Sequence, residues 1–154
     1  MNNTNISCQN PATIDHFIHL MAKKGGGFDM KNIEGLKTKK VEYGYLELEI
    51  LTTEQHTNYS RFYIHGAFQC FLFDITSVLS FKTTDPLEDY SYAITININT
   101  TLITPLPMGK RIRVVAKIEK KTSSMAFSNC SIMDEEGNVY STASVILRIA
   151  KPSL

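Results

Sequence analysis

Between Asn58 and Asp74 the sequence NYSRFYIHGAFQCFLFD gathers the groups best suited to do chemistry. His65-Gly66 stands where an apolar helix would begin, and a helix N-terminus presents unpaired N–H groups to negative charge. The stretch that follows, Ala67–Phe81, is apolar almost all the way round, and Asp74 is its only charged residue. Burying a lone carboxylate unpaired is costly, so Asp74 needs a purpose. The chemistry this set suits is acyl transfer to water. The Gly66 N–H would face a carbonyl oxygen as it gains charge in the transition state, with no side chain to block a substrate. Asp74 would orient and deprotonate a water or attack directly. Asn58 and His65 would hydrogen-bond the carbonyl or hold the loop. Plainer roles stand beside these: His65 as a helix cap, and Asp74 as the partner of a lysine across an interface.

Spacing adds a geometric expectation. His65 precedes Asp74 by nine residues. At about 100° per residue that is roughly 900°, half a turn out of phase, and about 13 Å along the axis. On this reading His65-Gly66 and Asp74 of one helix point in opposite directions. A site using both is then completed by another subunit, at a dimer interface.

The remaining elements must position these groups. Ile14, Phe17, Ile18 and Met21 form one apolar stripe, so Thr13–Lys24 reads as an amphipathic helix, stopped by Gly25-Gly26-Gly27. Asn32–Lys40 reads as an edge strand guarded by lysines. Gly44–Leu51 alternates strictly, with Leu46, Leu48 and Ile50 on one face, as a half-buried antiparallel strand does. Glu54–Tyr63 is a loop into the apolar helix, and Thr83–Tyr90 with Pro86 is a break after it. Tyr92–Thr101 alternates with isoleucines inward and Asn/Thr outward. In Arg111–Lys121 apolar residues alternate with basic ones, and Met125–Met133 and Val139–Ile149 are joined by a turn at Asp134-Glu-Glu-Gly-Asn. A helix that lacks a polar face belongs inside the fold. The class is therefore α+β: a six-stranded antiparallel sheet wrapped around one long central helix, plus an N-terminal helix. Periodicity leaves the strand order open.

Composition narrows the function. The 154 residues suit one domain over 12–151 behind a flexible, asparagine-rich tail over 1–11. A formal net charge of +1 argues against a nucleic-acid partner. Cys8, Cys70 and Cys130 form no paired spacing, which suggests neither a disulfide framework nor a metal site. The N-terminus lacks a secretory or transit pattern and no run is long enough to span a membrane, so a cytoplasmic protein is expected. Arg111, Arg113, Lys117, Lys120 and Lys121 read as a solvated strand face, some of which would meet a phosphorylated cofactor.

From Ile14 to Ile149 the chain resembles the hotdog-fold thioesterases of the phenylacetate-pathway type, and among them the small animal acyl-CoA thioesterases. The resemblance is carried by His56-Thr57-Asn58, His65-Gly66, Asp74, Thr95-Ile-Asn-Ile-Asn, Thr104-Pro105 with Gly109, and Met125-Ala126-Phe127. It implies strand order 1-2-4-5-6-3, and homodimers assembling into homotetramers. It also implies hydrolysis of acyl-CoA thioesters, with coenzyme A as part of the substrate and no separate cofactor. In that scheme the Gly66 N–H polarises the carbonyl, and Asp74 of the partner subunit is base or nucleophile. Asn58 and His65 form a polar pair near the thioester, Thr95 helps hold the water, and Lys120, Lys121 and Ser123 meet the CoA phosphates. Two features depart from the family's pattern. Ala67 replaces a second glycine, and the loop from Asn58 to His65 is one residue longer, with bulky Arg61, Phe62 and Tyr63. The altered loop keeps a non-catalytic acyl-CoA or lipid-binding hotdog protein as the alternative. A hotdog dehydratase is disfavoured, because its Asp-His dyad meets within one site.

Overall fold

The computed structural model describes residues 10–23, 33–84 and 92–150. Residues 1–9 of the expected tail over 1–11, the triple glycine and the break around Pro86 lie outside them, while Asn10 and Pro11 belong to the start of a helix. Helix α1 spans Pro11–Lys23. Asn10 caps it, its side-chain oxygen accepting the Ala12 N–H at 2.9 Å, with proline at the first helical position. Ile14 and Ile18 are buried, and the Asp15 carboxylate accepts the Thr38 N–H at 2.8 Å, fastening α1 to the first strand.

Strand β1 spans Lys37–Glu42 and β2 Tyr45–Leu51. The first is shorter than expected at its start and runs on to Glu42. A tight turn at Tyr43-Gly44 joins the two, and Gly44 sits at φ +68°, where a side chain is strained. Helix α2 spans Gly66–Lys82, followed by β3 (Tyr92–Leu102), β4 (Arg111–Lys121), β5 (Met125–Asp134) and β6 (Val139–Ala150). All pairings are antiparallel, in the order β1-β2-β4-β5-β6-β3. The basic strand β4 is therefore central, and the open edges are β1 and β3.

The inward rows of the sheet close over α2. Leu46, Leu48, Ile50, Ile112, Val114, Ala116, Ala126, Ile132, Val145 and Leu147 are buried with Phe68, Leu72, Phe73, Leu79 and Phe81 of the helix. A fully buried phenylalanine such as Phe73 is worth about 3–5 kcal/mol against alanine. Polar residues on the same helix face find partners. Thr76 donates to the Leu72 carbonyl at 2.6 Å, Ser80 donates to the Ala116 carbonyl at 3.3 Å, and Gln69 accepts from Ser141 at 2.7 Å. Ser77 lies 2.9 Å from the Cys130 sulfur, and burial pushes that thiol's pKa up, keeping it neutral.

Two expectations are corrected here. Helix α2 is not buried all round: Ala67 is exposed, and Cys70, Phe71, Asp74, Ile75 and Val78 are half-buried, forming one stripe at helical spacing. Nor do the isoleucines of β3 all point inward. A bulge between Thr95 and Asn97 inserts Ile96, so Ala93, Thr95, Ile98 and Thr100 share the inner row, while Ile94 and Ile96 are exposed. One extra residue reverses the facing of everything on the other side of it.

The β5–β6 hairpin holds a buried carboxylate. Asp134 accepts from the Asn138 N–H (2.9 Å), the Asn138 amide (3.0 Å) and the Tyr140 hydroxyl (2.9 Å). These bonds, the Asn138 amide first, hold its carboxyl far below the usual carboxylate range against the opposing effect of burial. A folded-state pKa below the unfolded one gives stability that is full above the unfolded value of about 4 and is lost as the pH falls below it. Asp134→Asn should lower the melting temperature at neutral pH by several degrees, because one amide oxygen cannot serve all three donors. It should also flatten the acid limb of a melting-temperature-against-pH curve. An unchanged acid limb would show that other carboxylates set it.

Candidate active site

The N-terminal end of α2 is shaped by His65 and the loop before it. His65 is the N-cap, with φ −63° and ψ 135°, and its Nδ1 accepts the Ala67 N–H at 3.0 Å. The capping role expected as the plainer reading is therefore real. With Nδ1 accepting, the neutral ring carries its proton on Nε2. The Gly66 N–H, first of the helix's orphan donors, has no acceptor among the described residues.

The loop is closed by a bridge between Thr57 and Ile64, with the Asn58 N–H on the Tyr63 carbonyl (2.9 Å) and the His65 N–H on the His56 carbonyl (2.8 Å). The Asn58 side-chain oxygen accepts from Ser60, at 3.0 Å from its N–H and 2.5 Å from its hydroxyl. Asn58 thus holds the turn, one of its two expected roles. The cavity beside the α2 N-terminus, about 270 Å³, is lined instead by Gln55, His56, Thr57, His65, Ala67, Phe68 and Phe71. His56 is buried, stacks on the Phe68 ring at 4.2 Å and accepts the Thr53 N–H at 3.0 Å. Sequence reasoning missed Gln55, His56 and Thr57 as cavity residues. Only the place where the loop closes decides between positions 56, 57 and 58, and no local pattern encodes that.

Farther along α2, Asp74 accepts a 2.5 Å hydrogen bond from the Thr95 hydroxyl, which the bulge has turned inward. This bond fixes one carboxylate oxygen and leaves the other for a further partner. The predicted opposition of Gly66 and Asp74 does not hold. An added Cβ on Gly66 would meet Leu102, Asp74 meets Thr95, and both partners belong to β3. Eight residues separate Gly66 from Asp74, which is about 80° of net rotation and about 12 Å of axis. Length along the helix, not rotation, keeps the two apart within one chain.

The residues expected to meet CoA phosphates, Lys120, Lys121 and Ser123, are all exposed. A second bulge, between Ile118 and Lys120, turns Lys121 to the inner side. Its ammonium bonds the Thr84 hydroxyl at 3.0 Å and the Thr84 carbonyl at 3.4 Å, and lies 4.9 Å from the centre of the Phe81 ring. Lys121 is thereby engaged at the C-terminal end of α2, where a cation suits the helix dipole. Among the described residues no side-chain cluster suits a metal ion, and no helix is long and apolar enough to cross a membrane.

The architecture, an antiparallel sheet of this order wrapped around α2, is the hotdog fold. No protein-family model and no curated protein matches the chain. Solved structures do. Mouse thioesterase superfamily member 2 superposes with a TM-score of 0.76 at 19% identity, covering 90% of this chain and 96% of that one. The zebrafish thioesterase superfamily member 2 gives 0.77 at 18%, covering 92% and 99%. A hypothetical thioesterase from Streptococcus pneumoniae, solved with coenzyme A, gives 0.75 at 12%, covering 90% and 98%. At such identities the likeness establishes the fold.

Proposed function

We propose that this protein hydrolyses acyl-CoA thioesters to free acid and CoA, in a site shared by two protomers. One observation carries the reading: a carboxylate held by a threonine lies on an incompletely buried stripe of α2, about 12 Å from an unpartnered N–H at the start of that helix. The Gly66 N–H takes the thioester oxygen and stabilises it as charge develops. Asp74 of the partner, steadied by its Thr95, deprotonates a water that attacks the carbonyl carbon, or attacks that carbon itself to form a mixed anhydride that water hydrolyses once the thiol has left. The thiolate of CoA then leaves and takes up a proton.

The open edge of β3 is where a second copy would pair, since its unpaired backbone groups lie beside exposed Tyr92, Ile94 and Ile96. The partner's α2 would then run past the first, bringing each Asp74 to the other's Gly66. Further pairing of dimers into a tetramer goes with the same reading. His65 and the cavity lined by Phe68 and Phe71 would hold the acyl side, and Asn58 would act through the loop it closes. Lys120, Lys121 and Ser123, all exposed, would meet the CoA phosphates, Lys121 from beside the C-terminal end of α2. The solved neighbours named as thioesterases, one of them holding coenzyme A, support the same reaction class.

The test is thiol release by the wild-type chain from short, long and aryl acyl-CoAs. Release from at least one of them is expected. Binding without release on any member would move the assignment to a non-catalytic acyl-CoA carrier.

A further inference from the structure

We propose that Leu102 decides which acyl groups fit beside the Gly66 N–H, and that the site takes thioesters unbranched at the carbon next to the carbonyl. This inference rests on the thioester reading above. An ideal Cβ placed on Gly66 would lie 2.8 Å from Leu102 Cδ1, a separation that real Cβ atoms do not show. A leucine methyl group, at the far end of an exposed side chain, thus stands where a side chain at position 66 would project.

The backbone that presents Leu102 is pinned. Leu102 pairs with Ser141, and the next two N–H groups, of Ile103 and Thr104, both donate to the Tyr140 carbonyl, at 2.9 and 3.1 Å. The side chain itself is not core, being 55% exposed. It stands at the mouth of the site, while Ile98 and Thr100, its neighbours on the inner row, are half-buried.

A carbonyl oxygen seated on the Gly66 N–H would have Leu102 against one flank, with the cavity of His65, Ala67 and Phe71 near the other. A straight acyl chain leaves by the cavity. A methyl branch on the adjacent carbon competes for the volume that Leu102 holds. A single misfitting methyl group is worth roughly 10- to 200-fold in kcat/KM in a tight pocket.

The experiment compares the best straight-chain substrate of the panel with its 2-methyl analogue, on wild type, Leu102→Ala and Leu102→Met. The wild type and Leu102→Met should both favour the straight chain. Leu102→Ala should raise the branched-to-straight ratio of kcat/KM by about tenfold or more, through the branched ester, with an unchanged melting temperature. An active wild type whose ratio is the same in Leu102→Ala overturns the role of Leu102 and leaves the thioester reading standing. A wild type inert on every ester overturns both.

Discussion

Asp74→Asn should lower thiol release from acyl-CoA by about a hundredfold or more while leaving the folded state intact. The substitution is nearly isosteric. The amide oxygen can still accept from the Thr95 hydroxyl, so the hydrogen bond that fixes the side chain is retained. Asp74 is only half-buried and no other charge pairs with it among the described residues, so its loss strands no partner. What disappears is the basic, nucleophilic oxygen. Melting temperature and kcat measured on the same preparations separate the two effects. Full activity in Asp74→Asn would make the aspartate a structural partner of Thr95. The catalytic centre would then have to be sought among His56, Thr57 and His65 around the cavity.

Gly66→Pro should be as damaging, for a different reason. Proline lacks the N–H, and the first position of a helix is where its absence costs the fold least. His65 at φ −63° and ψ 135° already has the extended conformation required of a residue before proline. Gly66→Ala is the matched control, since it brings the same Cβ against Leu102 but keeps the donor. Losing one oxyanion donor costs roughly a hundred- to a thousandfold in kcat, so Gly66→Pro should fall that far below Gly66→Ala. Equal activity in the two would remove the Gly66 N–H from the mechanism.

The pair of variants also tests the shared site. If Gly66 of one protomer works with Asp74 of the other, a mixed dimer of Gly66→Pro and Asp74→Asn rebuilds one intact site and one doubly damaged one. Random re-pairing of two inactive preparations should then restore about a quarter of wild-type activity. No recovery would put both residues to work within one chain, or show that protomers do not exchange.

Sequence alone determined the element inventory of this chain. The alternation of Leu46, Leu48 and Ile50, and of Ile112, Val114 and Ala116, marked strands whose inner rows are buried. The largely apolar run Ala67–Phe81 marked a central helix, and its isolated Asp74 and preceding His65-Gly66 marked the candidate site. These signals are local, since a period of 2 or 3.6 residues needs no knowledge of what packs against it. The tertiary structure decided the rest. The bulge that turns Thr95 toward Asp74, and the one that turns Lys121 toward Thr84, exist because neighbouring strands impose the register. One inserted residue reverses every later side chain, so an alternating pattern read by itself assigned Ile94 to the wrong face. The choice of His56 over Asn58 as a cavity residue was settled by where the loop closes, through the Thr57–Ile64 bridge. Leu102 lies 36 residues from Gly66; no periodicity reaches that far, and only the folding of β3 against α2 brings them into contact.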